Sequence, residues 1–196
     1  MNRCIKALNR GPMFRLIHRL GEWRKHRQFC HWRRRANPSS CIDPSVIVAG
    51  NTKAFSWIQI GRGTEIQRLC RIYISENDSL QPRLIIGSRV FIGQGTHLSV
   101  TQPMSIGNDT IIGAGSFLLT NNHRFDSREI PIRDQGYDTE PLDVGEDVWI
   151  GANCVIMPGI EIGKGAIIGA GSVLTKPVGC YEIWAGVPAR KIGTRP

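Results

Sequence analysis

Val144-Gly145-Glu146-Asp147-Val148-Trp149-Ile150-Gly151-Ala152-Asn153-Cys154-Val155-Ile156 opens a stretch that keeps one rhythm as far as Leu174. An aliphatic residue returns at every sixth position: Val144, Ile150, Ile156, Ile162, Ile168 and Leu174. Two places before it stands a small or β-branched residue (Val148, Cys154, Ala166, Ser172), and glycine usually follows it. That period suits neither an amphipathic helix nor an alternating strand. A short fixed repeat is the mark of a solenoid. In a solenoid of triangular section each unit makes one flat side and one corner. The aliphatic residue fills the interior, and glycine or a small polar residue takes the corner, where the bend calls for φ > 0. Three units, about eighteen residues, close one coil, and coils stack at the strand spacing of about 4.8 Å.

The same period extends toward the N-terminus. It runs through Ile60-Gly61, Ile66 and Ile72, breaks over residues 75–83, and resumes at Ile86-Gly87, Ile92-Gly93 and Leu98. After extra residues near Thr101 it continues through Ile106-Gly107, Ile112-Gly113 and Leu118. Before Ile60 the body begins irregularly, with the aliphatic residues Ile42, Val46, Val48 and Ile58, and the period settles only at Ile60. Between Leu118 and Val144 the chain carries an inserted loop, read as 121–142. A long structureless insertion in a compact solenoid is usually functional.

The net charge of +9 is concentrated at one end. Residues 1–35 hold eleven Lys and Arg against the single acid Glu22, whereas the remainder holds fourteen basic and fifteen acidic residues. That distribution argues against a nucleic-acid surface over the whole protein. Met13, Leu16, Ile17, Leu20 and Trp23 recur at helical spacing among arginines, so residues 1–40 read as a basic amphipathic helical segment with a linker at Asn37-Pro38-Ser39-Ser40. Such a helix either covers the open end of the first coil or lies on an anionic membrane surface. The body is expected over 41–180, with a C-terminal tail over 181–196. Six cysteines without ligand spacing read as free thiols in a reducing compartment. No apolar run reaches the roughly twenty residues of a membrane span, and a cytoplasmic protein is expected, with contact to the membrane's cytoplasmic face through residues 1–35 as the open alternative.

Asn122-His123-x-x-Asp126, then Pro141-x-x-Val144-Gly145-x-x-Val148-Trp149-Ile150-Gly151, and finally Ala185-Gly186-Val187-Pro188-Ala189-Arg190-Lys191 resemble the hexapeptide-repeat acyltransferases, most of all the branch acting on maltose, galactosides and polysaccharides. The resemblance spans about residues 84–192 and is weak before them. It implies an all-β solenoid, a left-handed parallel β-helix, assembled as a homotrimer. It also implies acetyl transfer from acetyl-CoA to a sugar hydroxyl, the acceptor being a surface polysaccharide or a lipid-linked oligosaccharide. A xenobiotic acetyltransferase of the chloramphenicol or streptogramin type and a non-catalytic scaffold are the alternatives.

His97 and His123 are the only histidines of the body. A hydroxyl needs its proton removed before it can attack a thioester, and imidazole titrates in the right range. The resemblance assigns that role to His123, with Asp126 as a possible orienting group. Gln94, His97 and Asn122 are expected on the acceptor side. Trp149, Ala152 and Ala170 are expected along the pantetheine arm, and Thr175, Lys176, Arg190 and Lys191 at the nucleotide phosphates, which arginine can bind bidentately. Zinc catalysis on the same scaffold needs three protein ligands, and two body histidines do not supply them, so no metal is expected.

Overall fold

A computed structural model describes residues 39–50, 54–75 and 83–196. The helix expected over the basic N-terminal segment lies outside the described residues. The body is a left-handed parallel β-helix. Its first face is an eight-stranded sheet that begins with Cys41–Ile42, Glu65–Ile66, Phe91–Ile92, Ile111–Ile112, Trp149–Ile150 and Ile167–Ile168. The second face has six strands: Ile47–Gly50, Arg71–Ile74, His97–Val100, Phe117–Leu119, Val155–Ile156 and Val173–Leu174. The third has five: Ile58–Ile60, Leu84–Ile86, Met104–Ile106, Leu142–Val144 and Glu161–Ile162.

The sixfold aliphatic positions are the interior. Ile112, Leu118, Ile150, Ile156, Ile168 and Leu174 are fully buried, and each such side chain contributes about 1.5–3 kcal/mol by leaving water. Parallel pairing keeps like residues in columns, with Ile112 between Ile92 and Ile150. The irregular region before Ile60 already belongs to this stack. Ile42 pairs with Ile66, Val48 with Ile72 and Ile60 with Ile86. A 3-10 turn at Ala54–Trp57 lengthens that coil by one period, and the sixth position between Val48 and Ile60 is Ala54, where the aliphatic beat is silent.

The corners correct one expectation. The glycine that follows the aliphatic residue is not the residue with φ > 0. Positive φ falls two positions later, at Gly115 (φ 70°) and Gly171 (φ 71°), and there non-glycine residues serve as well, such as Asn153 (φ 56°). What demands glycine at the earlier position is the next coil. A Cβ on Gly113 would lie 2.4 Å from the Ala152 amide nitrogen and 2.6 Å from the Gly151 carbonyl carbon. The small residues two places before the aliphatic also tie coils together. Buried Thr64 donates to the Gly87 carbonyl at 2.7 Å, Thr110 to Gly145 at 2.9 Å and Ser116 to Gly151 at 3.0 Å. Each hydroxyl is thereby buried without losing its hydrogen bond. Cys70 and Cys154 occupy the same kind of corner, where burial pushes both thiols up. The described cysteines are free.

The insertion is not structureless. Asn121–His123 pairs antiparallel with Tyr137–Thr139, and a 3-10 turn covers Ile132–Asp134. This hairpin leaves the column at the corner between the second and third faces. Its base is braced: Ser99 donates to Asn121 at 2.8 Å, Gln102 to Thr139 at 3.1 Å, and the Glu140 amide to the Thr120 carbonyl at 3.1 Å. The C-terminal residues also join the column. Glu182–Gly186 pairs with Ile167–Ile168 and turns back through the antiparallel strand Ala189–Thr194, completing the first face.

Candidate functional site

His123 ends the first strand of the braced hairpin, and cross-strand pairing sets it opposite Tyr137. The two rings stack with centroids 4.3 Å apart and planes 39° apart. Next along the chain, Arg124 holds Asp138 at 2.6 Å, which fixes the hairpin's register at the level of the imidazole. Sequence reasoning passes over Tyr137, Arg124 and Asp138 in this role. Their signal is the short polar run Tyr137-Asp138-Thr139, set at the far end of the insertion where it can pair with Asn121-Asn122-His123.

Asp126 is exposed further along the arm, and among the described residues it makes no hydrogen bond to His123. Asn122 is also exposed, opposite Asp138, whereas its neighbour Asn121 is the residue tied to the column.

Gln94, Ala152 and Ala170 share the corner between the first and second faces. The backbone at this corner climbs coil by coil: the Gly115 amide donates to Gln94, Asn153 to Ala114, and Gly171 to Ala152, all at 2.8–2.9 Å. At Ala114, Ala152 and Ala170 the corner carries small side chains, and a chain-like ligand could lie close to the backbone there. Beside it, Trp149 points outward from the first face, 54% exposed. It stands in an apolar ladder with Phe91, Ile111, Ile167 and Ile183, each in register with the next. His97 stands on the second face with its ring 5.7 Å from that of Phe117. Burial, and then the Arg71 charge beside it, hold its imidazole below the ordinary value.

Thr175 and Lys176 are exposed at the corner between the second and third faces, two coils beyond the hairpin that carries His123. Arg190 and Lys191 lie on the closing strand, opposite Ala185 and Trp184. Lys191 is engaged already. Its ammonium meets Glu182 at 2.7 Å, and the same carboxylate accepts from the Trp184 indole at 2.8 Å and the Gly179 amide at 2.9 Å. Lys191 first, then Trp184 and Gly179, pull the Glu182 carboxyl down to about 2. Lys191 therefore anchors the closing hairpin, and Arg190, whose own bond is to the Ala189 carbonyl, is the cation of this pair without a carboxylate among the described residues.

Among the described residues no helix is long and apolar enough to cross a membrane.

Residues 143–176 match the family model for the bacterial transferase hexapeptide (six repeats), and residues 83–119 match that for the hexapeptide repeat of succinyl-transferase. Chloramphenicol acetyltransferase of Morganella morganii is 36% identical over 126 residues, covering 64% of this chain and 58% of that protein. Galactoside O-acetyltransferase of Escherichia coli is 31% identical over 127 residues, covering 61% and 62%. The putative lipopolysaccharide biosynthesis O-acetyl transferase WbbJ of the same organism is 28% identical over 116 residues, covering 56% and 59%. The chain thus spans less than two thirds of the length of these curated relatives. Among solved structures, the N-acyltransferase AntD of Bacillus cereus, in complex with dTDP and 3-hydroxybutyryl-CoA, superposes with a TM-score of 0.69 at 22% identity over 81% of each chain. A hexapeptide-repeat acetyltransferase of Vibrio cholerae, complexed with acetyl coenzyme A, gives 0.55 at 24% identity over 76% of this chain and 71% of that one. At these identities the structural likeness speaks for the fold.

Proposed function

We propose that this chain, whose repeats match the hexapeptide transferase models over residues 143–176 and 83–119, transfers the acetyl group of acetyl-CoA to a sugar hydroxyl. The observation that carries this reading is the arm. The column's long insertion forms a braced hairpin that presents His123 at the surface beside the Tyr137 ring. An imidazole so placed can accept the acceptor's proton as the hydroxyl oxygen attacks the thioester carbonyl. The new C–O bond forms, the C–S bond breaks, and the proton passes from His123 to the leaving thiolate, giving an O-acetyl ester and the free thiol of CoA. A positioned base of this kind contributes about 100- to 10,000-fold.

The residues fit acetyl-CoA as co-substrate. The small corner at Ala152 and Ala170 and the exposed Trp149 suit a pantetheine chain, and Thr175, Lys176 and Arg190 suit its phosphates. In this reading Asp126 has no orienting role, and Asn122 faces the acceptor from the arm. The apolar ladder through Ile111 and Trp149 supports self-association, and a homotrimer is the assembly we propose for it.

The relatives that act on chloramphenicol favour a second reading, an aromatic xenobiotic acceptor. Phe125, Ile130 and Ile132 on the arm are exposed and would suit such a molecule. Thiol release from acetyl-CoA, with methyl galactoside and chloramphenicol as separate acceptors, tests both. His123→Ala is expected to lower turnover by about 100-fold or more with acetyl-CoA binding retained. Turnover near that of the wild type in this variant would remove His123 from the chemistry.

A further inference from the structure

The body disposes of its exposed cations in two ways. Arg89, Arg124, Lys164, Lys191 and Arg195 each reach a carboxylate within 3.4 Å, of Asp109, Asp138, Glu146, Glu182 and Asp147 respectively. Lys176 and Arg190, the residues proposed for the phosphates of CoA, meet none among the described residues. Four further exposed arginines, Arg62, Arg68, Arg71 and Arg128, behave like this second group, and two of them are neighbours on adjoining positions of one coil. Arg68 is at the corner between the first and second faces, one coil below Gln94. Arg71 is on the second face, in register with His97 in the coil above. Among the described residues neither forms an ion pair.

Arg68 is held in place by a residue of the proposed acceptor side, and Arg71 stands in register with another. The Arg68 Nε donates to the Gln94 Oε1 at 3.0 Å, which orients the guanidinium and leaves its terminal nitrogens without a partner among the described residues. Arg71 is close enough for its charge to be felt by the His97 imidazole. The acids of the adjoining coils are otherwise occupied. Glu65 takes the Gln67 amide, and Asp43 takes the hydroxyl and amide of Ser45. A planar fork fixed through one nitrogen, with a second guanidinium on the neighbouring strand position, is suited to an oxyanion. Above them the surface becomes aromatic at Phe117, and the coil above His97 leads directly into the arm that carries His123.

We infer that Arg68 and Arg71 form the anion-binding foot of the acceptor site, so that the acceptor is a sugar carrying a phosphate or a carboxylate, bound through Gln94 and His97 toward His123. This rests on the acetyltransferase reading for its place in a reaction but not for its binding test. The surface offers the same chemistry to a sugar phosphate and to a uronate.

Ligand-observed saturation-transfer NMR on the full chain, with glucose 1-phosphate, glucuronate and glucose as probes, separates the sources. At least one anionic sugar is expected to bind about tenfold or more tightly than glucose, as one charge-assisted hydrogen bond allows. The preference identifies phosphate or carboxylate as the group recognised. The double substitution Arg68→Gln with Arg71→Gln is expected to abolish the preference while glucose binding stays unchanged. Arg68→Lys, which keeps charge and loses the fork, is expected to retain part of it. Lys176→Gln with Arg190→Gln is expected to leave the preference intact, and its loss there would assign the anion to the CoA side and overturn the inference. Equal binding of the three sugars, no binding of any, or a preference that survives in the Arg68/Arg71 double variant would also overturn it. His123→Ala is expected to keep the preference for the anionic sugar, so failure of the catalytic reading leaves this result standing.

Discussion

Replacing Gly113 by alanine is expected to damage the column far more than replacing Gly171, although Gly171 is the one with φ of 71°. The added Cβ at Gly113 would lie 2.4 Å from the Ala152 nitrogen, 2.6 Å from the Gly151 carbonyl carbon and 2.7 Å from the Ala152 Cα. All three are backbone atoms of the next coil and cannot swing away. Relief to an ordinary contact requires the coils to part by about 1 Å out of a spacing of about 4.8 Å. That strains the bonds from the Gly113 amide to Ile150 at 2.8 Å and from the Asn153 amide to Ala114 at 2.9 Å. Overpacking costs about 1–3 kcal/mol, and each weakened bond adds about 0.5–1.5 kcal/mol. A total of about 2–6 kcal/mol corresponds to a loss of about 4–24 °C in Tm for a chain of this size. At Gly171 an added Cβ meets nothing within 4 Å, and only the left-handed backbone is penalised, by about 1–2 kcal/mol. Thermal unfolding followed by circular dichroism compares the two. If the Gly171 variant loses as much Tm as the Gly113 variant, coil contact is not what selects glycine here.

Two further outcomes follow from the cations and from Glu182. Lys176→Gln and Arg190→Gln are each expected to raise the KM for acetyl-CoA about tenfold with kcat retained, and an unchanged KM in both would remove them from the phosphates. The Glu182 carboxyl, held down to about 2 by Lys191, then by Trp184 and Gly179, is a depressed acid. Its contribution to stability is complete above the ordinary value of 4.5 and is lost as pH falls from there toward about 2. Tm measured between neutral pH and the acid limb should therefore fall less steeply for Glu182→Gln than for the wild type. Parallel acid limbs would refute the coupling.

The column was legible because its repeat is short and its interior admits one kind of residue at one interval. Ile150 and Ile156 announce the prism by themselves. Three features resist the same reading. Ile42, Val48 and Ile60 are in stack at intervals of six and twelve, but the position between Val48 and Ile60 is Ala54, which opens a 3-10 turn and carries no long aliphatic side chain to mark the beat. The role of Gly113 depends on a neighbour one coil away, many residues along the chain, and a single sequence favours the local explanation by φ. The pairing of His123 with Tyr137 depends on where the arm turns, which the irregular run from Phe125 to Gln135 conceals. Composition likewise cannot separate Lys191, neutralised by Glu182, from Arg190, which has the same charge and a different partner.

Where the site residues sit on the prism carries the last prediction. The arm bearing His123 leaves the corner between the second and third faces, and a triangular prism sets that corner across from the first face, from which Trp149 points outward. If both residues serve one acetyl-CoA, the imidazole of one chain works with the indole of its neighbour, and a cyclic assembly repeats the pairing at every interface. His123→Ala and Trp149→Ala chains, each defective alone, should then complement when co-expressed. An interface works when the chain giving the imidazole is the tryptophan variant and the chain giving the indole is the histidine variant, so random mixing restores about one quarter of wild-type turnover. A site made within one chain gains nothing from mixing, because every chain lacks one of the two groups. Thiol release by the co-purified mixture, with oligomeric state checked by light scattering, decides between them. Turnover no higher than the mean of the separate variants would refute a site shared between neighbouring chains.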